Sequence, residues 1–129
     1  MRLLLDTQVA LWWLTASPRL SKASRELMAG SACVVSVVSI WEVDLKHHLG
    51  KLSVSPERFR DEMRSAGAAV LSLTDQHVLT RLDCPQAHSD PFDRLLLSVA
   101  ESEHLIFLTA DEALVALGAS NPRLPLRGA

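Results

Sequence analysis

Short unbroken apolar runs recur along this chain, and stretches with helical periodicity separate them. The runs are Leu3–Leu5, Ala32–Val37, Ala69–Leu73 and Leu105–Thr109. Their length and their content of β-branched and aliphatic residues predict strands buried on both faces of a parallel sheet. The intervening stretches predict helices over Gln8–Leu14, Lys22–Ala29, Ser39–Leu49, Pro56–Ala66, Thr74–Leu82 and Glu112–Leu117. The clearest begins at Phe92, where Phe92, Leu95, Leu96, Val99 and Ala100 follow the i, i+3, i+4, i+7, i+8 spacing of one buried helix face. Strands alternating with helices predict an α/β domain with a mainly parallel sheet of four to five strands.

Polar residues punctuate this pattern. Asp6 closes the first strand, and Asp6 or Thr7 can cap the next helix. Ser21 and Gly30 bracket Lys22–Ala29. Ser39 and Glu42 have capping-box spacing, and Gly50 is the expected C-cap of that helix. Asp90, Pro91 and Asp93 fit the N-cap, N1 and N3 positions of the helix at Phe92. Asp83 to Pro91 reads as a turn-rich segment. Gly118 is expected to stop the last helix, and Leu124–Leu126 to form an edge strand, since Pro125 is tolerated only there. Trp12 and Trp13 are adjacent and cannot both face one core; either one of them is at the surface as a partner contact, or both pack under neighbouring elements.

Composition narrows the class. A chain of 129 residues fits one domain, 1–129, with enough apolar content at 48% to exclude global disorder. The net charge of −2 offers no global attraction to nucleic acid or acidic membrane, so such binding requires a local patch or a metal. Cys33 and Cys84 are isolated, which disfavours a thiolate zinc site. No apolar run reaches 18 residues and no leader pattern is present, so a reduced, cytoplasmic, membrane-free protein is expected.

Asp6, Glu42, Asp93 and Asp111 each lie at or just inside a predicted helix start. Taken singly, each is accounted for by capping and the helix dipole, worth about 1 kcal/mol. Taken together they converge, because helices that follow parallel strands start at one edge of the sheet. Two carboxylates about 4 Å apart repel by roughly 4 kcal/mol at an effective dielectric of 20. Four would outweigh the capping gains unless a cation neutralised them. Oxygen-only ligands select a hard ion, Mg²⁺ or Mn²⁺.

The motifs around these acids resemble those of PIN-domain ribonucleases, of the toxin type found in bacterial VapBC toxin–antitoxin pairs. They are LLLDT at the start, SxxSIWEVxLKxxLGKL around Glu42, HxDPFDRLLLSVA around Asp93 and LTAD at Asp111. They span nearly the whole chain. Position 8 departs from the pattern, with Gln8 where relatives often carry His, and the usual aromatic positions after Asp111 are missing. The resemblance implies a PIN-like three-layer α/β/α fold, Mg²⁺- or Mn²⁺-dependent hydrolysis of single-stranded RNA, a homodimer and a cognate antitoxin. It implies that Asp6, Glu42, Asp93 and Asp111 are the metal-binding and catalytic acids, with Thr109 in support and Asp90 close by as an N-cap. Metal-activated water needs no histidine base, so 5′-phosphate and 3′-OH ends are expected. Lys46, Lys51 and Arg94 are candidates for holding the RNA backbone.

Other small α/β folds with acids at strand ends fit less well. A phosphoacceptor receiver domain needs an acidic pair after the first strand and a late lysine, but no lysine follows Lys51. A haloacid-dehalogenase-type phosphatase needs an Asp at position 8. A non-catalytic binding module of the same fold gives no reason for four intact acids.

Overall fold

Strand β1 (Arg2–Leu5) lies in the middle of a five-stranded, all-parallel sheet of order β3-β2-β1-β4-β5. The remaining strands are β2 (Ala32–Ser36), β3 (Ala69–Leu71), β4 (Ile106–Thr109) and β5 (Leu126–Gly128). Around them pack α1 (Thr7–Leu14), α2 (Lys22–Ala29), α3 (Val37–His48), α4 (Pro56–Ser65), α5 (Asp75–Leu79), α6 (Pro91–Glu103) and α7 (Glu112–Ser120). The structure is a computed structural model and describes residues 1–82 and 90–129. Cys84 and most of the turn-rich segment from Asp83 lie outside the described residues. Among those described, no helix is long and apolar enough to cross a membrane.

Alternation along the strands feeds two cores. Leu3 and Leu5 point to one face with Val35 and Leu108, where Met28, Val43, Phe59 and Met63 cover them. Leu4 points to the other face with Val34 and Phe107, under Leu96, Val99, Ala100 and Leu114. Burial on both faces is why these strands are apolar at every position. It also makes the three-layer α/β/α arrangement.

Three local expectations shift, and one open choice is decided. The capping box predicted at Ser39 is not the start of α3. Ser36 caps that helix, its hydroxyl accepting from the Val38 amide at 3.0 Å, so Val37 is helical and Glu42 falls beyond the first turn. Buried Ser39 instead turns its hydroxyl toward Thr7. Gly118 lies inside α7, which runs to Ser120; a Cβ at position 118 would come within 3.0 Å of Leu126 Cβ, so glycine there permits close helix–strand packing. The edge strand begins at Leu126, after Pro125, because Pro125 has no N–H for the ladder. Trp12 and Trp13 are both half-buried against the first core, and Trp41 is the exposed tryptophan.

Replacement of the true cap should be felt. Ser36→Ala is expected to lower unfolding free energy by about 1 kcal/mol, the usual cost of an N-cap serine. Urea unfolding monitored by circular dichroism measures it. A stability equal to wild type would mean that α3 starts elsewhere.

Candidate active site

The sheet changes direction at β1. The chain lays β2 and β3 on one side of it and then returns to place β4 and β5 on the other. Ligands of open α/β sheets bind at such a switch point, outside the carboxyl ends of the strands. Here that position is a cleft of about 340 Å³ lined by Asp6, Thr7, Gln8, Leu11, Trp12, Glu42, Lys46, Asp90, Asp93, Ala110 and Asp111. All four candidate acids line it.

Each acid arrives by a different local device. Parallel register pairs Leu5 with Leu108, so the next positions, Asp6 and Thr109, emerge side by side. The Thr109 hydroxyl donates to Asp6 Oδ2 at 2.5 Å, and the Asp6 amide donates to the Leu108 carbonyl at 3.0 Å. Asp6 holds the N-cap position of α1, yet its side chain makes no capping bond. Asp111 caps α7 through Oδ1, which accepts from the Ala113 and Leu114 amides at 2.8 and 3.1 Å. Asp90 caps α6 in the same way, accepting from Phe92 and Asp93. Pro91 then starts the helix and Asp93, buried, turns toward the cleft from its first turn.

Glu42 is supplied by the second turn of α3 and is held at both oxygens. Lys46 Nζ donates to Oε2 at 2.7 Å. Thr7 Oγ1 lies 2.8 Å from Glu42 Oε1 and 2.8 Å from Ser39 Oγ. A hydroxyl has one proton and an ionised carboxylate only accepts, so Thr7 donates to Glu42 and the Ser39 hydroxyl completes the chain by donating to Thr7. Thr7 and Ser39 stand inside the motifs but were read only as caps, not as parts of the site. Their signal was the burial of hydroxyl residues beside acids, which becomes visible only when the helices are packed. The i, i+4 spacing of Glu42 and Lys46 could have been read directly.

Burial raises the Asp6 pKa above its ordinary value, the Thr109 hydroxyl opposes that, the Glu42 charge adds to it, the Gln8 backbone amide opposes it and the Asp111 charge adds to it. At Asp6, burial and neighbouring charge therefore outweigh the hydroxyl and the amide that favour the ionised form. Oxygen donors in that state fit a hard divalent cation. Among the described residues no three acidic, histidine or cysteine side chains stand as a ready metal cage. The arrangement fits an ion bound through one or two carboxylates and water, the habit of Mg²⁺.

The three basic candidates separate. Lys46 lines the acidic cleft. Arg94, one residue after Asp93, lines a different cleft with Val78, Leu79, Thr80, Arg81 and Leu82. Lys51 is exposed in the turn after α3 and lines neither.

Comparison with known proteins follows the same lines. The family profile described as PIN domain matches residues 3–119. Comparison with curated proteins gave no match. Among solved structures, VapBC2 from Rickettsia felis bound to a promoter DNA fragment is similar at TM-score 0.68 and 16% identity, covering 99% of this chain and 98% of that one. DNA-bound VapBC from Salmonella typhimurium gives 0.61 and 15%, covering 99% and 98%. VapBC-1 from nontypeable Haemophilus influenzae gives 0.62 and 17%, covering 100% and 97%. At these identities the likeness is one of fold.

The raised pKa of Asp6 has a sign that can be tested. A carboxyl whose folded pKa exceeds its unfolded value destabilises the fold at neutral pH, and the penalty disappears as pH falls through the folded pKa toward the ordinary 3.8. In chelator at pH 7, Asp6→Asn should melt higher than wild type, and the gap should close on acidification over that window. Thermal melts from pH 7 to pH 3.5 decide it. A variant melting lower at every pH would make Asp6 an ordinary stabilising acid.

Proposed function

This chain belongs to the PIN-domain family, and on that footing we propose that it is a metal-dependent ribonuclease. It hydrolyses phosphodiester bonds of single-stranded RNA in the cytoplasm as the toxin of a toxin–antitoxin pair, with residues 1–129 acting as one domain. The observation that carries this reading is the convergence of Asp6, Glu42, Asp93 and Asp111 on one cleft at the switch point of the sheet.

In this reading the four acids surround Mg²⁺ or Mn²⁺, one or two of them binding it directly and the others acting through its water. When bound, the ion polarises the scissile phosphate and lowers the pKa of its water. The protein's share is positioning. Thr109 keeps the Asp6 carboxylate in one orientation, and the Ser39–Thr7 hydroxyl pair does the same for Glu42. Such supporting bonds fix ligand direction before the ion arrives. Asp90 sets the start of α6 and so the direction of Asp93. Lys46 at the cleft is the basic residue best situated to meet an RNA phosphate, with Lys51 and Arg94 as more distant backbone contacts. Among the described residues no histidine lines the cleft, and the metal-activated water of this reading gives products bearing 5′-phosphate and 3′-OH ends.

Partner surfaces support the remaining parts of the proposal. Trp41, Leu45 and Leu49 recur every four residues on the outside of α3 and are exposed by 54%, 40% and 69%. A helical stripe of that kind suits the self-complementary contact of a homodimer. Phe92 packs edge-on against Trp41 at 5.2 Å between ring centroids, so this face adjoins the start of α6. The similar folds in VapBC structures support a cognate antitoxin as the second partner.

Two outcomes test the proposal. Single-stranded RNA should be cleaved only with Mg²⁺ or Mn²⁺, and Asp93→Asn should slow cleavage by more than about 100-fold, beyond the 10- to 100-fold typical of a supporting residue, with its circular dichroism unchanged. Cleavage that survives exhaustive chelation would exclude the metal mechanism. In bacteria, expression of this chain alone should slow growth, and co-expression of its antitoxin should restore it. Normal growth with soluble, active protein would remove the toxin role.

A further inference from the structure

We propose that Lys46 is the built-in counter-cation of this cleft, seated on Glu42 in the ion-free protein and exchanged for the divalent ion when one binds. The inference rests on the metal-dependent reading above and deepens it, by assigning the residue with which the metal competes.

The geometry of Glu42 carries it. Its side chain is 11% exposed, and that of Lys46 is 44% exposed. A carboxylate so far removed from water needs partners at both oxygens, and it has them: Thr7 at Oε1, 2.8 Å away, and Lys46 at Oε2, 2.7 Å away. A hard divalent ion takes a carboxylate oxygen at about 2.0–2.1 Å. Bound to the same carboxylate, it would repel an ammonium still in place, and that repulsion is poorly screened in a half-enclosed cleft. Binding of the ion therefore favours departure of the ammonium.

Which partner yields follows from burial. Thr7 is 2% exposed at the base of α1 and tied to Ser39, so it stays and continues to orient Oε1. Lys46 is on the open side of α3 and carries a flexible four-carbon stem with a strongly hydrated head, so it can swing into water. Its departure uncovers Oε2, and it frees an ammonium at the cleft to meet an anionic ligand. An ordinary i, i+4 surface pair would have no such consequence, because exposed pairs contribute little to stability and block nothing. What separates this pair from that case is the burial of the acid and its place among three other carboxylates.

The test uses the full-length protein and Mn²⁺ alone, read by isothermal titration calorimetry and by melting in chelator. Lys46→Met keeps the stem and removes the charge. It should melt below wild type in chelator, and it should bind Mn²⁺ on the order of 5- to 10-fold more tightly. Lys46→Arg keeps a cation and should stay within about twofold of wild-type affinity. Wild-type affinity in Lys46→Met, while wild type itself binds Mn²⁺, overturns the exchange and leaves the nuclease reading standing. Weaker binding overturns it too, since Lys46 would then support the bound ion. Equal tightening by Met and Arg also overturns it, because charge would not be the cause. If no protein of the set binds Mn²⁺, the nuclease reading fails and the exchange fails with it.

Discussion

Leu3, Leu4 and Leu5 pair with Ile106, Phe107 and Leu108 in parallel register, and helices cover both faces of that pairing. A slip of one residue would turn each of these side chains to the opposite core, so the register is held by packing on both sides. The same register carries Asp6 and Thr109 out of the sheet together, one residue beyond the last pair. Their hydrogen bond, the open edge and the switch in strand order are consequences of it. The acids of α3, α6 and α7 then reach the cleft because those helices pack along β2, β4 and β5 of the same sheet.

Gathering carboxylates at that edge opposes folding. Desolvation and the charges of Glu42 and Asp111 push the Asp6 pKa upward. The fold answers with short-range compensation: a threonine hydroxyl for Asp6, a threonine and a lysine for Glu42, and helix N-termini for Asp111 and Asp93. Each of these partners is local and weak beside a divalent cation. The site is therefore tolerable without an ion.

Helix α3 shows how economically the elements are used. Val38 and Val43 fill the two cores, Glu42 and Lys46 face the cleft, and Trp41, Leu45 and Leu49 face outward. A 3.6-residue period lets one helix of this length serve core, site and surface at once. It also explains the weak amphipathic signature of its sequence, since apolar residues appear on opposite sides for different reasons.

Elements with one strong local cause were legible in the sequence. The apolar run of β1, the serine and glycine brackets of α2, and the Asp90-Pro91-Asp93 opening of α6 act within a few residues, so composition and spacing determine them. The four acids were legible as a group that one sheet edge brings together, because parallel strands deliver helix starts there. Tertiary structure decided the rest wherever two local signals competed. Ser39 was expected to cap α3, but the end of β2 places Ser36 at the cap and leaves Ser39 for Thr7. Gly118 could end a helix or admit a close neighbour, and Leu126 packing against it chose the second. Trp12, Trp13 and Trp41 look alike as residues, and only the packed surface assigned exposure to Trp41. Lys46, Lys51 and Arg94 were equal as charges along the chain. Helix phase and loop placement gave the acidic cleft to Lys46, since a side chain's partners depend on elements far from it in sequence.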